Sequence, residues 1–80
     1  MDSLDHLLNN MFSIRAYGRR ELAQLYFPHI SPNSAWRCLH QWINLNQDLC
    51  RKLRDLGYES QMRIFTPEQV RAISYYLGEP

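Results

Sequence analysis

The chain is poor in cysteine, in glycine and in long hydrophobic runs. Of its 80 residues only Cys38 and Cys50 are thiols. With no CxxC pair they make no disulfide framework. They read as buried or half-buried free thiols in a reducing compartment, so a cytoplasmic location is expected. No stretch approaches the roughly 20 apolar residues that span a bilayer, so no membrane partner is expected. Asp2 and Asp5 occupy the place where a secretory signal carries basic residues. With three glycines there is no glycine-rich phosphate loop. His6, His29 and His40 are scattered. Cys38 and His40, two apart, face different ways on a helix and suit a shared metal badly. No Ser/His/Asp or Cys/His set emerges. A chain of this length buries a modest core and leaves little room for a deep pocket. These absences argue against an enzyme, a metal site, a cofactor or a small-molecule substrate. A binding module is the expectation that remains.

Charge is also scarce in net terms, at +1, which weighs against a nucleic-acid partner. Its distribution weighs the other way. Between Ser13 and Leu77 there are nine Arg or Lys against five acids (Glu21, Asp48, Asp55, Glu59 and Glu68), a local charge of +4. Eight of the nine basic residues are Arg. Its planar, five-donor fork suits phosphate and guanine, and equally suits surface ion pairs.

What the chain does have is aromatic residues, at 12%, and helical periodicity. Leu4, Leu7, Leu8, Met11 and Phe12 form an apolar stripe, predicting a short amphipathic helix over residues 1–12. Residues 13–17 alternate loosely, as a short strand or extended lead-in, up to a break at Gly18. Leu22, Ala23, Leu25 and Tyr26 give one apolar face to a helix over residues 19–27, stopped by Pro28. Ser31 followed by Pro32 is a helix start. Ala35, Leu39, Trp42 and Ile43 then share a face up to Asn44, with Trp36 beside them, and both tryptophans read as core. Asn46 or Asp48 opens a further helix with Leu49, Leu53 and Leu56 buried and Gly57 in a left-handed C-terminal position. Asp48 with Lys52, and Arg51 with Asp55, have the i,i+4 spacing of ion pairs. Residues 57–65 lack helical periodicity and read as a small hairpin or wing. Thr66-Pro67-Glu68-Gln69 is a strong helix start. Val70, Ile73 and Leu77 follow as its buried stripe, and Gly78 as its stop. Tyr75 and Tyr76 are adjacent, so at least one of them should be exposed.

The predicted fold is mainly α: a helix-turn-helix in winged-helix-like order, with four to five short helices plus a small β-hairpin or extended wing over residues 13–80. In a helix-turn-helix the second helix lies in the major groove. Here that helix carries Asn33, Arg37, His40, Gln41 and Asn44 as a polar stripe with no carboxylate. Arg pairs with guanine, and Asn or Gln with adenine. Residues near the start of such a helix touch bases, which makes Asn33, Ser34, Arg37 and Gln41 the candidate base contacts. Arg19, Arg20 and Arg63 are candidate phosphate contacts. Every amphipathic helix also has a solvated polar face, and that plain reading stands beside the functional one.

The run Tyr17-Gly18-Arg19-Arg20-Glu21-Leu22-Ala23-Gln24-Leu25-Tyr26-Phe27-Pro28, then Ile30-Ser31-Pro32, Ala35-Trp36-Arg37 and Trp42-Ile43, resembles a family of small uncharacterised bacterial proteins. The tail, Phe65-Thr66-Pro67-Glu68-Gln69-Val70 and Leu77-Gly78-Glu79-Pro80, extends the resemblance, which covers roughly residues 14–80. It is a domain-of-unknown-function family of gut commensals, met among mobile-element and phage-like genes, and it implies no set activity. The segment Glu21-Leu22-Ala23, the short turn, the second helix and a wing leading into Phe65-Thr66-Pro67-Glu68 are also similar to winged-helix regulators of the MerR and excisionase type. The extra helix over residues 46–56 departs from that pattern. Two functions are therefore expected in turn. The first is a DNA-binding module on double-stranded DNA, as a small regulator or excisionase-like accessory factor. The second is a protein-interaction adaptor or homodimer using Leu4, Leu8, Met11 and Tyr76.

Overall fold

Capping side chains and prolines set most of the helix boundaries. The computed structural model describes residues 12–80. The helix expected over residues 1–12, with Leu4, Leu8 and Met11, lies outside them apart from Phe12, which is not helical and stacks on Tyr17 at 5.5 Å. Among the described residues the order is β1 (Tyr17–Gly18), α1 (Arg19–Tyr26), α2 (Pro32–Leu45), α3 (Gln47–Asp55), β2 (Ile64–Phe65) and α4 (Pro67–Leu77). The domain is mainly helical, with one two-stranded antiparallel sheet.

Each of the last three helices begins on a side-chain cap. Ser31 Oγ accepts from the Ser34 N–H at 3.3 Å, ahead of Pro32. Asn46 Oδ1 accepts from the Leu49 N–H at 2.9 Å, so Asn46, not Asp48, opens α3. Thr66 and Gln69 form a reciprocal capping box. Each such cap stabilises its helix by about 1 kcal/mol. Gln69 is also fully buried, and its Nε2 donates to the Leu56 carbonyl at 3.1 Å, tying α4 to the end of α3. That end is a Schellman motif. The Tyr58 N–H donates to the Leu53 carbonyl at 2.9 Å, and the Gly57 N–H to the Arg54 carbonyl at 3.0 Å. Gly57 sits at φ 87, a left-handed conformation that needs glycine.

The core collects Leu22 and Ala23 of α1, Ala35, Leu39 and Ile43 of α2, and Leu49 and Leu53 of α3. Phe65, Val70 and Ile73 complete it from β2 and α4. Burying each large aliphatic side chain is worth about 1.5–3 kcal/mol, so few residues carry the stability of so small a domain. The most extensive packing is between α1 and α2.

The β element is built across the chain. Tyr17 pairs with Phe65 and Gly18 with Ile64, and the Arg19 N–H donates to the Arg63 carbonyl at 2.8 Å. The segment after α3 therefore takes its strand partner from the lead-in before α1. Its turn closes locally through the Met62 N–H and the Glu59 carbonyl at 3.0 Å.

Two details correct the expectations, and a third agrees with them. Trp42 is 44% exposed, with Tyr26 and Phe27 in edge-to-face contact with it, and Trp36 is half-buried. Asp48 pairs with Arg51 one turn on, at 3.1 Å, instead of with Lys52, and Asp55 is not in that pair. Tyr75 and Tyr76 are both exposed, at 80% and 37%.

Candidate nucleic-acid interface

A helix turns by 100° per residue, so burying Ala35, Leu39 and Ile43 fixes what α2 shows to solvent. Asn33, Arg37, Gln41 and Asn44 fall on the opposite side, and all four are exposed. Ser34 is half-buried, and its hydroxyl accepts from Ser31 Oγ at 3.1 Å, within the cap. The outward stripe contains amides and a guanidinium and no carboxylate.

Helix α1 and the segment before β2 bring further arginines beside it. Arg20 Nε donates to Asn33 Oδ1 at 2.7 Å, bridging the start of α1 to the start of α2. The bond holds Arg20 at the head of the stripe and occupies the acceptor that Asn33 would offer an adenine. Arg19 is half-buried. Its guanidinium lies 5.0 Å from the centre of the Trp36 ring, and Nη1 reaches the Met62 carbonyl at 3.4 Å. Arg63 is exposed and joined to α1 through its backbone carbonyl. The structure thus brings Arg19 and Arg20 to the start of α2, where Asn33 lies, holds the backbone of Arg63 against the start of α1, and strings Arg37 and Gln41 along α2.

Nearby acids are occupied elsewhere. Glu21 Oε2 is bound by Arg15 at 2.9 Å, and Oε1 accepts from the Gly18 N–H at 3.2 Å. These two bonds, the Arg15 one first, hold the Glu21 carboxyl below its ordinary range. Arg15 itself lies 3.7 Å over the Tyr17 ring. Glu59 accepts from the Gln61 side chain at 2.9 Å. None of Arg19, Arg20, Arg37 and Arg63 is in an ion pair with a described residue.

One arrangement goes beyond the sequence expectations. Trp36 stacks on His40 at 5.0 Å and 20°, leans on Phe65 at 6.0 Å, and carries Arg19 above it. The signal for the first contact is in the chain, since Trp36 and His40 are i,i+4 neighbours. The contacts to Arg19 and Phe65 are tertiary. His40 also lies 3.5 Å from the Asn44 amide. Behind the stack, the Tyr58 hydroxyl is buried without a hydrogen-bond partner among the described residues, and burial pushes the phenol above its ordinary value.

Among the described residues no group of three His, Cys, Asp or Glu could hold a metal ion. Cys38 and Cys50 are half-buried free thiols, and Cys50 Sγ donates to the Ile43 carbonyl at 3.1 Å. No helix among the described residues is long and apolar enough to cross a membrane. Of the expected partner contacts, Tyr76 lies on α4, away from the α2 stripe, and Leu4, Leu8 and Met11 lie outside the described residues.

Comparison with known proteins matches residues 13–80 to one family, described as a domain of unknown function (DUF4248). No curated protein and no solved structure matches the chain. The match spans nearly the whole chain, and the protein belongs to this family.

Proposed function

We propose that the domain is a DNA-binding module that lays α2 in the major groove. The observation that carries this reading is the outward stripe of α2. It is amide- and arginine-bearing, free of carboxylates, and flanked by arginines that no described acid neutralises. Arg37 and Gln41 project from the middle of α2 and serve as the principal base contacts. Asn33 and Ser34 sit at the helix start, where bases are usually touched. Asn33 reads a base with its Nδ2 donor while Arg20 holds its oxygen. Arg20 and Arg63 fall to phosphates. Arg19, half-buried on Trp36, supports the segment that presents Arg63 and contributes its charge at short range. The resemblance to winged-helix regulators of the MerR and excisionase type, from which the extra helix α3 departs, favours a small regulator or a recombination accessory factor.

The test is retention on a mixed-sequence duplex at low salt. Phosphate contact by two or three arginines predicts a slope of about −2 to −3 for log affinity against log salt. Arg37→Glu should lower affinity at least tenfold, since one bidentate base contact is worth about 1–3 kcal/mol. Equal retention of Arg37→Glu and wild type sinks the proposal.

The second reading, an adaptor without nucleic-acid binding, draws on the exposure of Tyr75 and Tyr76 and on the apolar residues Leu4, Leu8 and Met11. Removing residues 1–12 separates the two. DNA retention left intact by the deletion favours the first reading, and loss of all binding favours the second.

A further inference from the structure

The exposed tyrosines border a groove between α3 and α4, of about 580 Å³, on a surface that shares no residue with the α2 stripe. Ala72 is buried at its floor, and Tyr75 and Tyr76 stand on its edge in edge-to-face contact at 5.0 Å. Lys52, Arg71 and Glu68 rim it, all exposed, and none is in an ion pair with a described residue. An 80% exposed aromatic ring beside an apolar groove that no described residue fills is a knob next to a hole.

We propose that a second copy of this chain covers the groove through a two-fold axis. Each Tyr75 sits in the groove of the other copy, and each Glu68 faces Lys52 and Arg71 across the axis. Two features select a copy of the chain over another partner. A two-fold interface must be self-complementary, and this one surface carries both the projecting ring and the recess that fits it. The rim also carries both signs of charge. A purely acidic partner would satisfy Lys52 and Arg71 but set a like charge against Glu68, whereas a second copy gives every Glu68 two cations. Exposed tyrosine and arginine around a small apolar floor is the composition that dominates protein interfaces.

The test uses the full chain and sedimentation equilibrium from micromolar to millimolar concentration. Wild type should show a monomer–dimer equilibrium. Glu68→Lys makes the rim wholly basic, and Lys52→Glu with Arg71→Glu makes it wholly acidic. Each variant alone should dissociate at least tenfold more readily, and an equimolar mixture should associate at least as tightly as wild type. All three positions are exposed, so circular dichroism should show the fold retained. A wild-type chain that stays monomeric throughout overturns the proposal. So does a mixture that fails to associate, because that outcome removes the charge pairing across the axis. Arg37→Glu, which tests DNA contact, should leave the dimer unchanged, so the two proposals fail separately.

Discussion

The outward side of α2 and the groove between α3 and α4 are both solvent-facing, yet they are built from opposite materials. The α2 side offers Asn33, Arg37, Gln41 and Asn44, and has Arg20 at its head through the bond to Asn33. The groove offers Tyr75 and Tyr76 above Ala72, with acid and base mixed on its rim. The difference teaches that the net charge of +1 describes neither surface. Positive charge is concentrated at one end of α2, where Glu21 is diverted to Arg15, while the groove carries both signs. A polyanion and a second copy of the chain are different partners, and the two proposals assign one side of the small core to each.

The largest expected effect removes both surfaces together. Leu39 is fully buried in α2, between the elements that carry them. Leu39→Ala should destabilise the domain by about 2–5 kcal/mol, a large share of what a chain this size possesses. Urea denaturation should show an earlier midpoint, with DNA retention and self-association lost in parallel. If one survived at a concentration where the other was gone, the two surfaces would not share this core.

A smaller change breaks only the link between the regions. The Tyr26 hydroxyl, on α1, donates to the Gly78 carbonyl just after α4. Burial, followed by the Glu79 charge, pushes the phenol up to about 12. The folded state therefore keeps its proton through a range in which the unfolded chain loses it. This contribution is complete below about pH 10 and is lost as pH rises towards 12. Stability measured by denaturation should fall across that window in wild type. Tyr26→Phe should flatten the fall and cost about 1 kcal/mol at neutral pH through the lost bond. An unchanged alkaline fall in Tyr26→Phe would remove Tyr26 as its source.

Gly57 sharpens the comparison from the groove side. It ends α3 at φ 87, with nothing within 4 Å of the place a methyl group would take, so Gly57→Ala should cost about 1 kcal/mol by backbone strain alone. The groove should loosen while DNA retention by α2 is kept. The smallest effect is expected at Asn33. Asn33→Ala releases Arg20 without removing its charge, so affinity should fall only a few-fold and the salt slope should hold, as measured by titration at several salt concentrations.

The helices were legible in the sequence because their starts are written locally. Ser31-Pro32, Asn46 and Thr66-Pro67 each cap a helix with their own side chain or turn, and Gly57 and Gly78 mark positive-φ stops. The buried stripe of α2 followed from the same period, and with it the identity of the outward residues. The strand pairing of Tyr17 with Phe65 was not legible, because no local pattern reports a partner so far along the chain. Trp42 departs from its expected burial for a related reason. It lies at the margin of the α2 stripe, where coverage depends on how closely Tyr26 and Phe27 approach. The choice of Arg51 by Asp48 reflects side-chain geometry that spacing leaves open, since i,i+3 and i,i+4 neighbours are both within reach. The seating of Arg19 on Trp36 is likewise tertiary, and it gives Arg19 a supporting place where charge alone suggested a direct contact.

The central claim is that the α2 side, and not basic charge in general, engages DNA. Arg37 and Arg54 are both exposed arginines, one on α2 and one on α3. The most direct measurement is fluorescence anisotropy of a labelled duplex titrated with Arg37→Glu and with Arg54→Glu at matched low salt. These variants carry identical net charge, so only position distinguishes them. At least a tenfold loss for Arg37→Glu, with less than a threefold change for Arg54→Glu, is the predicted result. Equal losses would mean that net charge alone governs the binding, and retention by both at wild-type level would remove α2 from the interface.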